Sequence, residues 1–259
     1  MKLEVKHLSF AYGTHSVLED ISFSVREGEF LSVLGPNGVG KSTLFRCILG
    51  LLKIRKGEIR IDGESISQLP PATLARKIAY IPQAHDPVFH YSVFDMVLMG
   101  TTAQRGLFAA PRKEEKTAVE EVLEKLGLTA LAERSYRTLS GGERQLVLIA
   151  RAMVQEAKLL LMDEPSASLD FGNRIRVMER VKALCAEGYC VMQSTHDPEQ
   201  AGYYSDRLLA LKGGKVLSHG TPQEVFTEEL ISALYGVEVE ICKLKENAPW
   251  VCIPKGVKT

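Results

Sequence analysis

The sequence has no apolar stretch long enough to cross a membrane as a helix. Its longest runs, such as Leu146 to Ala150 and Leu159 to Met162, fall far short of the roughly 18 residues a span needs, so any membrane role must be borrowed from a partner. Met1-Lys2-Leu3-Glu4-Val5-Lys6 spreads charges where an export signal needs an unbroken apolar segment, and the chain is expected to stay in the cytosol. Net charge is absent as well. The 32 Lys and Arg balance 32 Asp and Glu, which leaves no overall electrostatic footprint for DNA or RNA, and no nucleic-acid partner is expected. Five cysteines, an odd number without a C-x-x-C pair, fit neither a disulfide framework nor a zinc site and read as reduced, mostly structural thiols. His7, His15, His85, His90 and His219 have no metal-ligand spacing. There is neither an internal repeat nor a low-complexity tract.

What remains is an ordinary globular composition. With 259 residues and 45% hydrophobic content, the chain can bury a full core in one large α/β domain, or in a domain carrying a smaller lobe. Leu3, Val5, Phe10 and then Val17, Ile21, Phe23, Val25 alternate with polar residues in runs broken by Gly13 and Gly28, which predicts antiparallel strands. Phe30 to Leu34 reads as a buried strand and Ser42 to Leu52 as a helix, with glycines between them. A strand pair is predicted around Gly57 to Gly63, and a short strand at Ile78 to Ile81 before Pro82. Helical spacing from Ser92 to Gly100 and from Lys113 to Leu126, with Gly127 as a stop, suggests a helical lobe. A helix after Gly141-Gly142, a central strand at Leu159 to Met162, a helix from Arg174 to Ala186, a strand at Cys190 to Met192 and a hairpin across Gly213-Gly214 resume the α/β pattern. The tail from Glu238 through Ile253 alternates well enough for a terminal hairpin, for which packing is the plainer role and regulation the alternative.

Gly35-Pro36-Asn37-Gly38-Val39-Gly40-Lys41-Ser42-Thr43 satisfies G-x-x-x-x-G-K-[ST] in the strand-then-helix setting that the pattern requires. Glycines let successive N–H groups turn inward around phosphate oxygens, and the following helix adds its positive end. Lys41 can reach the β- and γ-phosphates. Ser42 supplies a hydroxyl for Mg²⁺, and Asp163, closing an apolar strand, supplies the carboxylate expected at the same ion.

Leu139-Ser140-Gly141-Gly142-Glu143 carries the five-residue signature of the ATP-binding cassette (ABC) family, close to the commoner form ending in Gln. The order of Tyr12, phosphate loop, Gln83, signature, Leu159 to Glu164, Ser166-Ala167-Ser168-Leu169-Asp170 and His196 resembles that family over nearly the whole chain. The resemblance implies an α/β P-loop NTPase core with an N-terminal antiparallel β subdomain and an inserted helical subdomain, roughly residues 84–157. The ATPase domain would span 1–236 and a short C-terminal extension 237–259. It also implies a head-to-tail homodimer in which ATP lies between the phosphate loop of one subunit and Ser140-Gly141-Gly142 of the other. A helix start with two glycines is independently a second anion-binding surface, although Ser140 also suits plain helix capping.

Within that resemblance Glu164 is the candidate general base for water attacking the γ-phosphoryl group, His196 the switch histidine touching the γ-phosphate, and Gln83 a contact to both Mg²⁺ and the water. Tyr12 offers a flat face to adenine, with a core tyrosine as the alternative. Asp170 resembles the residue that touches the opposite subunit's catalytic site, while a helix-capping Asp fits equally from local sequence. A single cassette with no span suits pairing with transmembrane permease subunits, and indirectly with a substrate-binding protein, at the cytoplasmic face of the membrane.

Ala79 to Gln83, Tyr91 to Gly100 and the extension after Tyr235-Gly236-Val237 resemble ATP-binding subunits of the iron-siderophore, haem and cobalamin uptake group. A molybdate-type importer and a soluble ATPase of iron–sulfur assembly are the alternatives. Val88 to Met99, with mixed aromatic and aliphatic residues, fits either a docking groove for a permease helix or lobe core.

Overall fold

Period-two alternation near the N-terminus produces a long antiparallel hairpin of β1 (Leu3–Tyr12) and β2 (His15–Val25), running from Leu3 opposite Val25 to Tyr12 opposite His15. Gly13 turns the chain at φ 57°, a conformation open to glycine. The computed structural model describes residues 2–83, 90–103, 110–243 and 250–256. In β3 (Phe30–Leu34) every residue is buried, as in a strand covered on both faces. The loop after it leads into α1 (Lys41–Ile48). The predicted continuation to Leu52 ends early because Gly50, at φ 69°, turns the chain away.

β4 (Lys56–Ile61) pairs with β1, and β5 (Glu64–Ser65) with β4, giving an antiparallel sheet of order β2-β1-β4-β5. α2 (Pro71–Lys77) then feeds β6 (Ile78–Ile81). α3 (Val93–Leu98), α4 (Lys113–Lys125) and α5 (Gly141–Val154) form the helical lobe. Val93, Met96 and Val97 are buried in its core beside Val119, Leu123 and Val147, so these three residues of Val88 to Met99 are lobe core, whereas Met99 is exposed; residues 88 and 89 lie outside the described residues.

The alternation resumes with β7 (Leu159–Asp163), α6 (Phe171–Ala186), β8 (Cys190–Thr195), α7 (Pro198–Tyr204), β9 (Arg207–Lys212) and β10 (Lys215–Gly220). α6 starts three residues before the predicted Arg174 because Asp170 caps it, accepting from the Asn173 N–H at 2.9 Å. The second sheet has the order β10-β9-β3-β8-β7-β6 and is parallel except for β10. α8 (Pro222–Val225), α9 (Glu228–Tyr235) and the hairpin of β11 (Val239–Lys243) with β12 (Trp250–Pro254) follow.

The parallel sheet is covered on both faces. Phe30, Ala79, Leu160 and Val191 meet the lobe and α6, while Leu31, Val33, Leu161 and Met192 meet α1 and the antiparallel sheet. Leu34, Leu208 and Ala210 pack under α8, α9 and β11. This is the expected α/β core with its antiparallel subdomain and helical lobe. It brings the carboxyl ends of β3, β6, β7 and β8 to one edge, where ligands of open parallel sheets bind.

Candidate active site

The loop between β3 and α1 owes its shape to particular glycines. Gly38 and Gly40 hold φ of 80° and 110°, which side chains with a Cβ rarely adopt. A Cβ on Gly35 would stand 2.6 Å from the Leu211 carbonyl oxygen, so close packing on β9 excludes any side chain there. Gly40 caps α1 without a side-chain hydrogen bond, leaving the first helical N–H groups available to an anion. Lys41 folds back, donating from Nζ to the carbonyls of Gly35 at 2.7 Å and Pro36 at 3.2 Å. Burial pulls its ammonium below the usual lysine range, and the carboxylates of Glu164 and Asp163 oppose that shift.

Asp163 ends β7 and is held from both sides. The Ser194 hydroxyl donates to Oδ1 at 2.5 Å and the Tyr80 hydroxyl to Oδ2 at 3.3 Å. Burial, reinforced by the Asp163 charge, pushes the Tyr80 phenol up to about 12, so it remains a donor at neutral pH. Ser194 Oγ also accepts from the Glu164 N–H at 3.0 Å. Glu164 has a φ of 47°, a left-handed conformation that costs about 1–3 kcal/mol and persists where the surroundings enforce it. Its carboxylate is thereby aimed between Lys41 Nζ, 3.7 Å away, and His196 Nδ1, 3.3 Å away.

A cleft of about 390 Å³ gathers Asn37, Gly38, Gly40, Lys41, Ser42 and Thr43 with Gln83 beyond β6 and Asp163 and Glu164 at the end of β7. That volume is in the range of small-ligand sites, about 300–1,000 Å³. The hydroxyl of Ser42, the amide of Gln83 and the carboxylate of Asp163 are hard oxygen donors suited to Mg²⁺. Gly35, Pro36 and Val39 shape the loop behind that lining.

Other sequence-derived candidates lie elsewhere. Tyr12, at the end of β1, is 46% exposed with its ring edge-on to Phe10, which removes the core-tyrosine alternative. Ser140, Gly141 and Gly142 do not line the cleft. Ser140 caps α5, accepting from the Glu143 N–H at 3.3 Å and donating from its hydroxyl to the Glu143 carboxylate at 2.7 Å, and a Cβ on Gly142 would collide with Asn173 at 2.5 Å. Asp170 caps α6 and, like Ser140 and Gly141, is exposed. Tyr80 and Ser194 were not among the predicted site residues; their places on β6 and β8, beside the end of β7, give the signal only once the strand order is known.

Comparison with known proteins agrees with this geometry. Residues 18–167 match the family model described as ABC transporter. The chain is 41% identical over 241 residues to an uncharacterized ABC transporter ATP-binding protein of Haemophilus influenzae, covering 93% of this chain and 92% of that protein. It is 36% identical over 241 residues to the ferric enterobactin transport ATP-binding protein FepC of Escherichia coli, covering 93% and 89%. A chain from a structure described as an inward-facing conformation of a metal-chelate type ABC transporter superposes with a TM-score of 0.86 at 32% identity, over 97% of this chain and 96% of that one. The phosphate loop, the strand-end carboxylates and a likeness running along nearly the whole chain have one reading: this protein belongs to the ABC transporter family, as an ATP-binding subunit that hydrolyses ATP.

Proposed function

We propose that this chain powers uptake of a metal chelate, of the iron-siderophore, haem or cobalamin class, through a separate membrane permease to which it binds on the cytoplasmic face. The observation that carries the hydrolytic part is the Glu164 carboxylate held between Lys41 and His196 at the rim of the phosphate-loop cleft. The ferric enterobactin and metal-chelate relatives support the class of cargo, and neither of those names favours molybdate import or iron–sulfur assembly.

ATP enters with adenine on the exposed face of Tyr12 and its phosphates wrapped by the N–H groups of Gly38 through Thr43. Lys41 leaves the Gly35 and Pro36 carbonyls for the β- and γ-phosphate oxygens, exchanging neutral acceptors for charged ones. Ser42, Gln83 and Asp163 hold Mg²⁺, which when bound neutralises phosphate charge. Glu164 accepts a proton from the water as its oxygen bonds to the γ-phosphorus, and the bond to the β–γ bridging oxygen breaks to give ADP and inorganic phosphate. His196 holds the γ-phosphate and the water in line. Ser140, Gly141 and Gly142 of a second copy, arranged head to tail, close over the same phosphates, and Asp170 reaches across to that copy's catalytic site. The exposure of Ser140, Gly141 and Asp170 supports this reading.

Residues 1–236 then act as the ATPase domain, with the helical subdomain at roughly 84–157 and 237–259 as an extension. Turnover and nucleotide-binding assays test the assignment. Glu164→Gln keeps ATP affinity while lowering turnover by roughly 10²–10⁴-fold, the usual worth of a positioned base. Lys41→Ala weakens ATP binding itself, by roughly ten- to hundredfold, as expected for a charged hydrogen bond. Wild-type turnover in the first variant, or unchanged affinity in the second, contradicts it.

A further inference from the structure

His196 meets Glu164 through an imidazole that is 48% exposed, so its position is set by its peptide. That peptide is bound from three directions. The Tyr235 hydroxyl, at the end of α9, donates to the His196 carbonyl oxygen at 3.0 Å. On the N-terminal side, Thr195 Oγ1 donates to Gln200 Oε1 at 3.4 Å and accepts from the Asp197 N–H at 3.0 Å. On the C-terminal side, Asp197 caps α7 by accepting from the Gln200 N–H at 3.0 Å, and its other oxygen lies 3.4 Å from the Arg174 guanidinium.

Gln200 also reaches the other catalytic turn. Its amide exchanges hydrogen bonds with the Ser166 hydroxyl, at 2.7 Å and 3.0 Å, two residues beyond Glu164. Gln200, Ser166 and Thr195 are all nearly fully buried, where hydrogen bonds are strong and an unmade one is costly. One side chain therefore ties the end of β7 to the end of β8. Burial, with Asp197 and Glu164 nearby, holds the Tyr235 phenol above its usual range, which keeps it a donor.

α7 and α9 are in turn seated on the C-terminal hairpin. The Cys252 N–H donates to Glu199 at 2.8 Å, the Ile241 N–H to Glu228 at 3.2 Å, and Trp250 stacks on Phe226 at 5.5 Å. Gly202 lies so close to Trp250 that a Cβ there would stand 2.8 Å from the indole.

We propose that Gln200 and Tyr235 are positioning residues for hydrolysis: they fix the His196 peptide against the Glu164 turn, and through them α9 and the terminal hairpin form a working part of the ATPase. The inference rests on Glu164 and His196 being the hydrolytic pair. General fold stabilisation by the same bonds predicts something different, because it lowers the melting temperature without a selective effect on the chemical step.

The test is steady-state ATP hydrolysis and thermal melting of the full chain carrying Tyr235→Phe, which keeps the ring, Gln200→Met, which keeps the volume, or His196→Ala, with Tyr203→Phe on the exposed side of α7 as a control. Tyr235→Phe and Gln200→Met are each expected to lower kcat by roughly three- to tenfold, the worth of about one neutral hydrogen bond, with KM for ATP within about twofold of wild type and the control unchanged. Wild-type kcat in Tyr235→Phe, or a loss confined to KM, overturns the inference while an inactive His196→Ala leaves the hydrolytic assignment standing. Wild-type turnover in His196→Ala overturns both. Should Gln200→Met not fold, Tyr235→Phe decides alone.

Discussion

Glu164 shows how one residue's backbone serves its chemistry. Its left-handed φ of 47° would be avoided in a free chain, and the Ser194 hydroxyl on its N–H helps to hold it. Much of this site is legible in the sequence, because Lys41 and Ser42 stand at fixed offsets from Gly35 and Gly40, and Asp163 and Glu164 end a continuous apolar run. Tyr80, Ser194, Gln200 and Tyr235 are not legible. Their bonds cross 83, 31, 34 and 39 residues, and nothing in the local pattern marks a polar residue as someone else's partner. His219 is another such case. Burial, with Arg207 beside it, pulls its imidazole down to about 4, so the folded protein keeps it neutral while the unfolded chain titrates near the ordinary value of about 6.5. Stability from this group is complete above the unfolded value and is lost as pH falls from there towards 4, by about 2 kcal/mol after allowing for solvent screening. Denaturant unfolding of His219→Gln at several pH values should show a flatter acid limb than wild type. An identical limb would place the acid sensitivity elsewhere.

Helix boundaries separate what local sequence specifies from what it does not. The starts of α5 and α6 are written in Ser140 and Asp170, whose side chains cap them. α7 carries the same kind of signal in Asp197-Pro198, an N-cap followed by proline at the first position, yet its seven residues are too few for periodicity to reveal. The Val88 to Met99 segment could not be divided by sequence into core and surface, since both uses need the same aliphatic residues. Val93, Met96 and Val97 turn inward, whereas Met99 is 38% exposed and lines a groove of about 1590 Å³ that also carries Leu51, 70% exposed, from the turn after α1. For the permease partner proposed above, the groove between the lobe and the antiparallel sheet, with exposed apolar residues at its edges, offers a surface on which a helix could dock. The double variant Leu51→Asp, Met99→Asp should lose co-purification with the permease while binding ATP like wild type. Retained co-purification would move the docking surface elsewhere.

On the scale of the whole molecule, no helix among the described residues is long and apolar enough to cross a membrane. All five cysteines are free, as the odd count and spacing suggest. The α/β architecture was legible because buried parallel strands and glycine-bounded helices alternate in the sequence. The strand order was not, since it depends on which apolar faces meet. One cleft unites the phosphate loop, Gln83, Asp163 and Glu164, while Ser140, Gly141 and Asp170 remain exposed outside it. On the account given above, that division exists because half of each ATP site comes from a second copy. Sedimentation of the Glu164→Gln chain, which holds ATP without consuming it, tests this most directly. With Mg²⁺ and saturating ATP it should sediment as a two-copy particle and without ATP as one copy, whereas single copies carrying a full complement of bound ATP would contradict the composite site.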